Sequence, residues 1–150
     1  MSGTRTQVGI AEWSRRTSSA RAIEMQLAAK LGGWVPRVPA AAGKLLLARH
    51  ARHHAWHAEL WDGLVPLLHD QPPPPGVTEA RLRDAAAVLV GVEDPLGVYD
   101  DVVPHLVAAY RAWAVEATPI AERPVMRVLD LVLRDLDFDA QEGHDLFHHQ

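Results

Sequence analysis

The chain has 150 residues, a formal net charge of −4 with nine histidines counted neutral, and 48% hydrophobic residues. That describes a single domain, residues 1–150, with enough apolar side chain for a sizeable core and no basic face for nucleic acid. The absence of cysteine excludes disulfides, thiolate catalysis and cysteine-ligated zinc or iron–sulfur centres.

The segment Met1 to Gln7 lacks the apolar core of a signal peptide, and no apolar run reaches the length of a membrane span. A soluble cytoplasmic protein without membrane contact is therefore expected. A first helix is expected from about Ala11 to Leu31, with Ala20, Ile23, Leu27 and Leu31 on its apolar face and Trp34 just beyond. Glu24 falls on that same face. Gly32 and Gly33 are expected to end the helix, and Pro36 and Pro39 to stiffen the connection. The second helix is expected from about Ala41 to His69, with its last turns weakened by Gly63 and Pro66. Four prolines, Pro72 to Pro75, predict a polyproline stretch. Thr78 then caps a shorter helix to Val90, with Leu82, Ala85, Ala86 and Leu89 on one face.

Gly91 to Gly97 breaks the pattern. A long helix follows from Val98 to Ala117, with Val102, Leu106, Ala109 and Trp113 inward; Pro104 suits it best if the regular helix starts near Val102 or Val103. The last long helix begins near Pro119 or Pro124 and carries Val125, Leu129, Val132 and Leu136 on one face, with Gly143 weakening its end. No stretch reads as a strand. Two long helices joined by a short turn, a long crossover and two more long helices predict an all-α four-helix bundle, in which the second and third long helices run the same way.

The second helix holds the most unusual pattern. Leu46, His50, His53, His57, Leu60 and Leu64 advance by alternating steps of four and three, which is a bundle-facing seam with histidine at its centre. His54 lies beside that seam. A buried polar group without a partner costs about 1–3 kcal/mol, so these imidazoles need carboxylates, water or a metal ion. Glu24 lies about 12 residues before Pro36 and His50 about 14 after it, which at about 1.5 Å per residue puts them at similar depth. Counting from a turn at Ile120 brings Asp135 and Asp139 level with the stretch from Asp101 to His105. One layer is thus predicted to hold Glu24, His50, His53, His105 and Asp139, with the Glu24 and His53 side chains meeting inside the bundle.

These residues resemble the ferritin-like superfamily. In its di-iron carboxylate bundles the first helix supplies a glutamate and the second an E-x-x-H pair, and the last two helices repeat the arrangement. Glu24 matches the first glutamate. Ala48-Arg49-His50-Ala51-Arg52-His53 is similar to the second-helix run E-A-R-H, with His50 in the glutamate place and His53 in the histidine place. Leu133-Arg134-Asp135-Leu136-Asp137-Phe138-Asp139 resembles the last-helix run D-E-x-x-H, but Leu136 takes the glutamate place and Asp139 the histidine place. The third long helix offers Asp100, Asp101 and His105 where a glutamate is expected. The resemblance implies the ferritin-like fold over Ala11 to Glu142. Its members store iron, hydroxylate substrates or reduce ribonucleotides. The missing bridging carboxylates argue against an oxygen-activating di-iron centre.

Two functions follow as expectations. One is a metal-binding protein, with an oxidoreductase role open, whose ligands are drawn from Glu24, His50, His53, His57, His105 and Asp139. Imidazole and carboxylate donors suit iron first, then zinc, copper or manganese. The other is a metal-free relic of the same fold that binds a small molecule or a partner through a hydrogen-bonded polar layer. In the plainer reading of single residues, His54 is a half-exposed boundary residue, Glu24 pairs with Arg49 or Arg52, and Asp139 begins a fraying turn. Trp56, Trp61 and Trp113 read as core or interface aromatics, and five tryptophans suggest a homodimer. No Ser-His-Asp order, phosphate loop or glycine fingerprint is present.

Overall fold

A buried apolar stripe on each amphipathic segment decides where the helices form and how they pack. A computed structural model describes residues 8–65, 75–120 and 122–149. It contains five helices: α1 (Ile10–Trp34), α2 (Ala41–Asp62), α3 (Ala80–Gly91), α4 (Val103–Glu116) and α5 (Arg123–His148). A single turn, Pro95–Gly97, and a π-helical stretch, Val98–Val102, lead directly into α4. Among the described residues there is no strand, and no helix is long and apolar enough to cross a membrane. The protein is all-α, as the periodicity predicted.

The direction of each helix follows from which side chains meet. Arg21 pairs with Asp62, Glu24 with His54, and Lys44 Nζ donates to the Val35 carbonyl at 3.0 Å, so α1 and α2 form an antiparallel hairpin. Arg49 meets Glu142, His53 meets Asp139 and His57 meets Asp135, which makes α2 and α5 antiparallel. Asp100 with His144 and Arg111 with Asp137 set α5 against α4 and its π-helical approach. Arg16 with Glu116 and Glu24 with Tyr110 set α1 against α4. Neighbouring long helices are therefore antiparallel, and α2 and α4 run in the same direction. Helix α3 lies within the crossover and covers α4 and the π-helical stretch. The core between them is built on Leu27, Leu31, Leu47, Trp61, Leu106, Trp113, Leu129 and Leu136, all essentially inaccessible to solvent.

Several helix ends differ from the sequence expectation, and packing explains each. Helix α1 does not stop at Gly32 and Gly33 but runs to Trp34, whose ring is buried. Burial of Trp34 outweighs the weak helix propensity of the two glycines. Helix α2 ends at Asp62; Pro66, His69 and Pro72 to Pro74 lie outside the described residues. The N-cap of α3 is Glu79, accepting from the Leu82 N–H at 2.9 Å, and not Thr78. The buried Ser19 hydroxyl instead accepts from the backbone N–H groups of Thr78 and Glu79, each at 3.0 Å, which fixes the start of α3 on α1.

Pro104 is the second residue of α4; lacking an N–H, it cannot donate back into the π-helical turn that precedes it. Helix α5 passes through Gly143 without interruption. The Tyr99 ring lies directly on that glycine, where a Cβ would collide with it. Gly143 serves close helix packing rather than helix termination.

Candidate metal centre

The buried stripe of α2 is Gly43, Leu47, His50, His54, His57 and Trp61, flanked by Leu46 and Ala58. It is displaced from the predicted seam because Trp61, and not Leu60, anchors its end: Trp61 is fully buried, Leu60 only partly. His54 therefore lies near the centre, buried to 1% exposure, whereas His53 sits on the rim. The two are consecutive residues, about 100° apart around the helix. The expectation that His54 is a half-exposed boundary residue is corrected accordingly, as is the expected meeting of Glu24 with His53.

Histidines and carboxylates collect in two clusters. The inner one joins Glu24 of α1 to His54 and His57 of α2, all buried. His54 Nδ1 donates to Glu24 Oε2 at 2.5 Å, and His57 Nδ1 lies 3.5 Å from the same oxygen. The far atoms are also held. The Tyr110 hydroxyl donates to Glu24 Oε1 at 3.0 Å, and His57 Nε2 donates to Asp135 Oδ2 at 2.8 Å. His57 Nδ1 has no hydrogen-bond partner among the described residues although it is buried. Among the described residues the Glu24 carboxylate faces this nitrogen at 3.5 Å, and Glu24, His54 and His57 together could hold a metal ion.

The electrostatics follow from burial and contact. Burial alone would raise the Glu24 carboxyl, but the charges of His54 and His57 and the hydrogen bond from His54 outweigh it and hold the pKa at about 2. Burial would lower His57, yet Glu24 and Asp135 together raise it to about 9. Burial and the neighbouring Glu24 carboxylate push the Tyr110 phenol well above its ordinary value, so it remains a hydrogen-bond donor.

The outer cluster joins His50 of α2 to Asp139 and Glu142 of α5. His50 Nε2 faces Glu142 Oε1 at 3.2 Å and Asp139 Oδ1 at 3.4 Å. On its other side His50 Nδ1 meets the Tyr99 hydroxyl at 2.8 Å. The outward oxygens are taken by neighbours: His53 Nδ1 donates to Asp139 Oδ2 at 2.7 Å and Arg49 to Glu142 Oε2 at 2.6 Å. Desolvation lowers the His50 pKa despite the nearby carboxylates, and burial raises the Tyr99 phenol. Burial opposes ionisation of Glu142, but hydrogen bonds from His50 and Arg49 lower its pKa.

Of the six residues predicted from the sequence, the structure brings Glu24 and His57 together in one cluster and His50 and Asp139 in the other. His53 belongs to the surround of the outer cluster. His105 is not at either site: it is exposed, and its Nδ1–H donates to the Asp101 carbonyl of its own segment at 2.8 Å. It follows one residue before Leu106, about 100° from the centre of the buried stripe of α4. Glu24 does not pair with Arg49 or Arg52, and Asp139 is no fraying turn: it is buried to 3% exposure, with more than two further helical turns after it. His54, Glu142, Asp135, Tyr99 and Tyr110 were not singled out as site residues. Glu142 was findable, since it follows Asp139 by three on the same face. No carboxylate is shared between the clusters, and His50 and His54 stand about 6 Å apart along the α2 axis. Comparisons with protein-family models, with curated proteins and with solved structures each give no match.

Proposed function

We propose that this chain is a ferritin-like bundle protein that binds a transition metal ion at Glu24, His54 and His57. The fold part of the proposal draws on the pairing of the four long helices, with α3 an addition within the crossover. The metal part is carried by one observation: His57 Nδ1 is buried, unpartnered and directed at Glu24 Oε2, while Asp135 holds the opposite ring nitrogen. A carboxylate on the far nitrogen of a histidine is how metal-bound imidazoles are oriented and made more basic. Two imidazoles and one carboxylate suit iron first, and zinc or manganese after it. Such an ion would supply Lewis-acid chemistry or, as iron, electron transfer, which is the basis for an oxidoreductase role. The protein's own contribution is to keep water out and to hold Glu24 and His57 rigidly through Tyr110 and Asp135.

A second reading, a metal-free polar network, has its own support. His54 and Glu24 already form a short charge-assisted hydrogen bond at 2.5 Å, and a protonated His57 would bridge Glu24 and Asp135. Elemental analysis of untagged protein, followed by Zn(II) and anaerobic Fe(II) titration of wild type and Glu24→Gln, separates the two. The metal reading expects tight binding in wild type that weakens sharply in Glu24→Gln. Absence of metal as purified, together with no binding of either ion by wild type, would establish the network reading.

A further inference from the structure

The outer cluster contains features that the inner site does not explain. Asp139 Oδ1 is buried and has no hydrogen-bond partner among the described residues. It points at His50 Nε2, as does Glu142 Oε1. Each of the three side chains is clamped by its other polar atom: His50 by the Tyr99 hydroxyl, Asp139 by His53 and Glu142 by Arg49. One nitrogen and two carboxylate oxygens are thereby left facing a common point, close enough for a single ion to touch all three. Arg49 offsets the charge of Glu142, and a cation at the common point would offset that of Asp139. We propose that His50, Asp139 and Glu142 form a second cation site, separate from the inner one and selective for an oxygen-preferring divalent ion such as Mn(II).

The donor sets justify the selectivity. The inner site offers two nitrogens and one oxygen, the outer site one nitrogen and two oxygens, and carboxylate-rich sites favour harder ions. The surroundings also differ. The Glu142 side chain is 29% exposed and that of His53 33%, whereas the inner ligands are sealed. His53 also lines a groove of about 510 Å³ with Arg49, Arg52 and Trp56. Through His53 and Arg49 the groove borders Asp139 and Glu142, so the outer cluster lies close to solvent.

The site is tested by following Mn(II) binding through the loss of the free-ion paramagnetic resonance signal. The proteins are wild type, Asp139→Asn, Glu142→Gln and His57→Gln. Wild type is expected to bind one Mn(II), His57→Gln to bind it equally well, and both outer variants to bind it at least about tenfold more weakly. Glu142→Gln alters a half-exposed side chain and so reports on the site even if Asp139→Asn fails to fold. Failure of wild type to bind Mn(II), or equal binding by Glu142→Gln and wild type, overturns the proposal. Loss of Mn(II) binding in His57→Gln alone would place the ion in the inner cluster and overturn it as well. Zn(II) binding to Glu24→Gln tests the inner site separately, so either site can fail without the other.

Discussion

The Tyr110 hydroxyl lies 3.0 Å from Glu24 Oε1 and is the only group that reaches this oxygen from α4 among the described residues. It ties the acid of α1 to the helix diagonally placed from α2, so Glu24 is held from two sides before any ion arrives. Tyr110→Phe keeps the ring packed against Trp61 and Trp113 and removes only the donor. The expected cost is about 1–3 kcal/mol, the range for a lost hydrogen bond to a buried charged group. Urea denaturation of metal-free protein measures it, and an unchanged midpoint would show that the phenol does not support the carboxylate.

Chelation separates the two functional readings by stability. A metal at a hundredfold excess over its dissociation constant adds about 2.7 kcal/mol to the folded state. Thermal melting of wild type with and without chelator should show this increment, and His57→Ala should lose the inner cluster's share of it. If wild type melts at the same temperature under both conditions, the inner cluster holds no ion.

The pH dependence of the metal-free protein has a definite sign. The His57 pKa rises from 6.5 to about 9 on folding, so its stabilising contribution is complete below pH 6.5 and is lost as pH rises towards 9. The Glu24 pKa falls from 4.5 to about 2, so its contribution is present above pH 4.5 and is lost as pH falls towards 2. His50 acts oppositely to His57: its lowered pKa favours the neutral form, and stability from this group declines below pH 6.5. Chelated protein should therefore lose stability between pH 6.5 and 9. Metal-loaded protein should gain stability with rising pH from about 5.5 to about 7.5, because protons compete with metal for imidazole. Denaturation midpoints with parallel slopes in the two states would contradict this account of His57.

Gly143→Ala should destabilise the protein. The new methyl would collide with the Tyr99 ring, which cannot swing aside because it stacks on Phe147, with 6.2 Å between ring centroids, and bonds His50. Overpacking of this kind costs about 1–3 kcal/mol. Denaturant unfolding provides the measurement, and a neutral substitution would mean that α5 can slide relative to Tyr99.

Much of the fold was legible because long amphipathic helices advertise themselves. The inward faces Ala20–Ile23–Leu27–Leu31 and Val125–Leu129–Val132–Leu136 are buried as their spacing predicted. The site was less legible, for a physical reason. Adjacent residues on a helix differ by about 100°, so choosing Leu60 over Trp61 as the end of the α2 stripe moved His53 inward and His54 outward. The depth estimate failed similarly. A turn centred on Pro36 pairs Glu24 with His50, but α1 continues to Trp34 and the connection extends to Ala40, so Glu24 meets His54 one helical turn further on. Tyr99 and Tyr110 gave no sequence signal, since a buried phenol that bonds a cluster and one that only fills space look alike in a list of residues.

The π-helical stretch Val98–Val102 has a consequence for how this protein tolerates changes in chain length. A π turn holds one more residue than an α turn. Deleting the exposed Asp101 would close the wide turn into ordinary helix, and because the turn gives up the residue it holds in excess, Tyr99 would keep its face relative to Val103. Tyr99 would stay over Gly143 and within reach of His50, and Tyr110, which lies after the irregular turn, would stay on Glu24. A deletion in the ordinary α turns between Val103 and Tyr110 would instead rotate the preceding residues by about 100° relative to Tyr110 and carry Tyr99 off both partners. The wide turn is thus a place where this helix can lose a residue and keep both clusters supported.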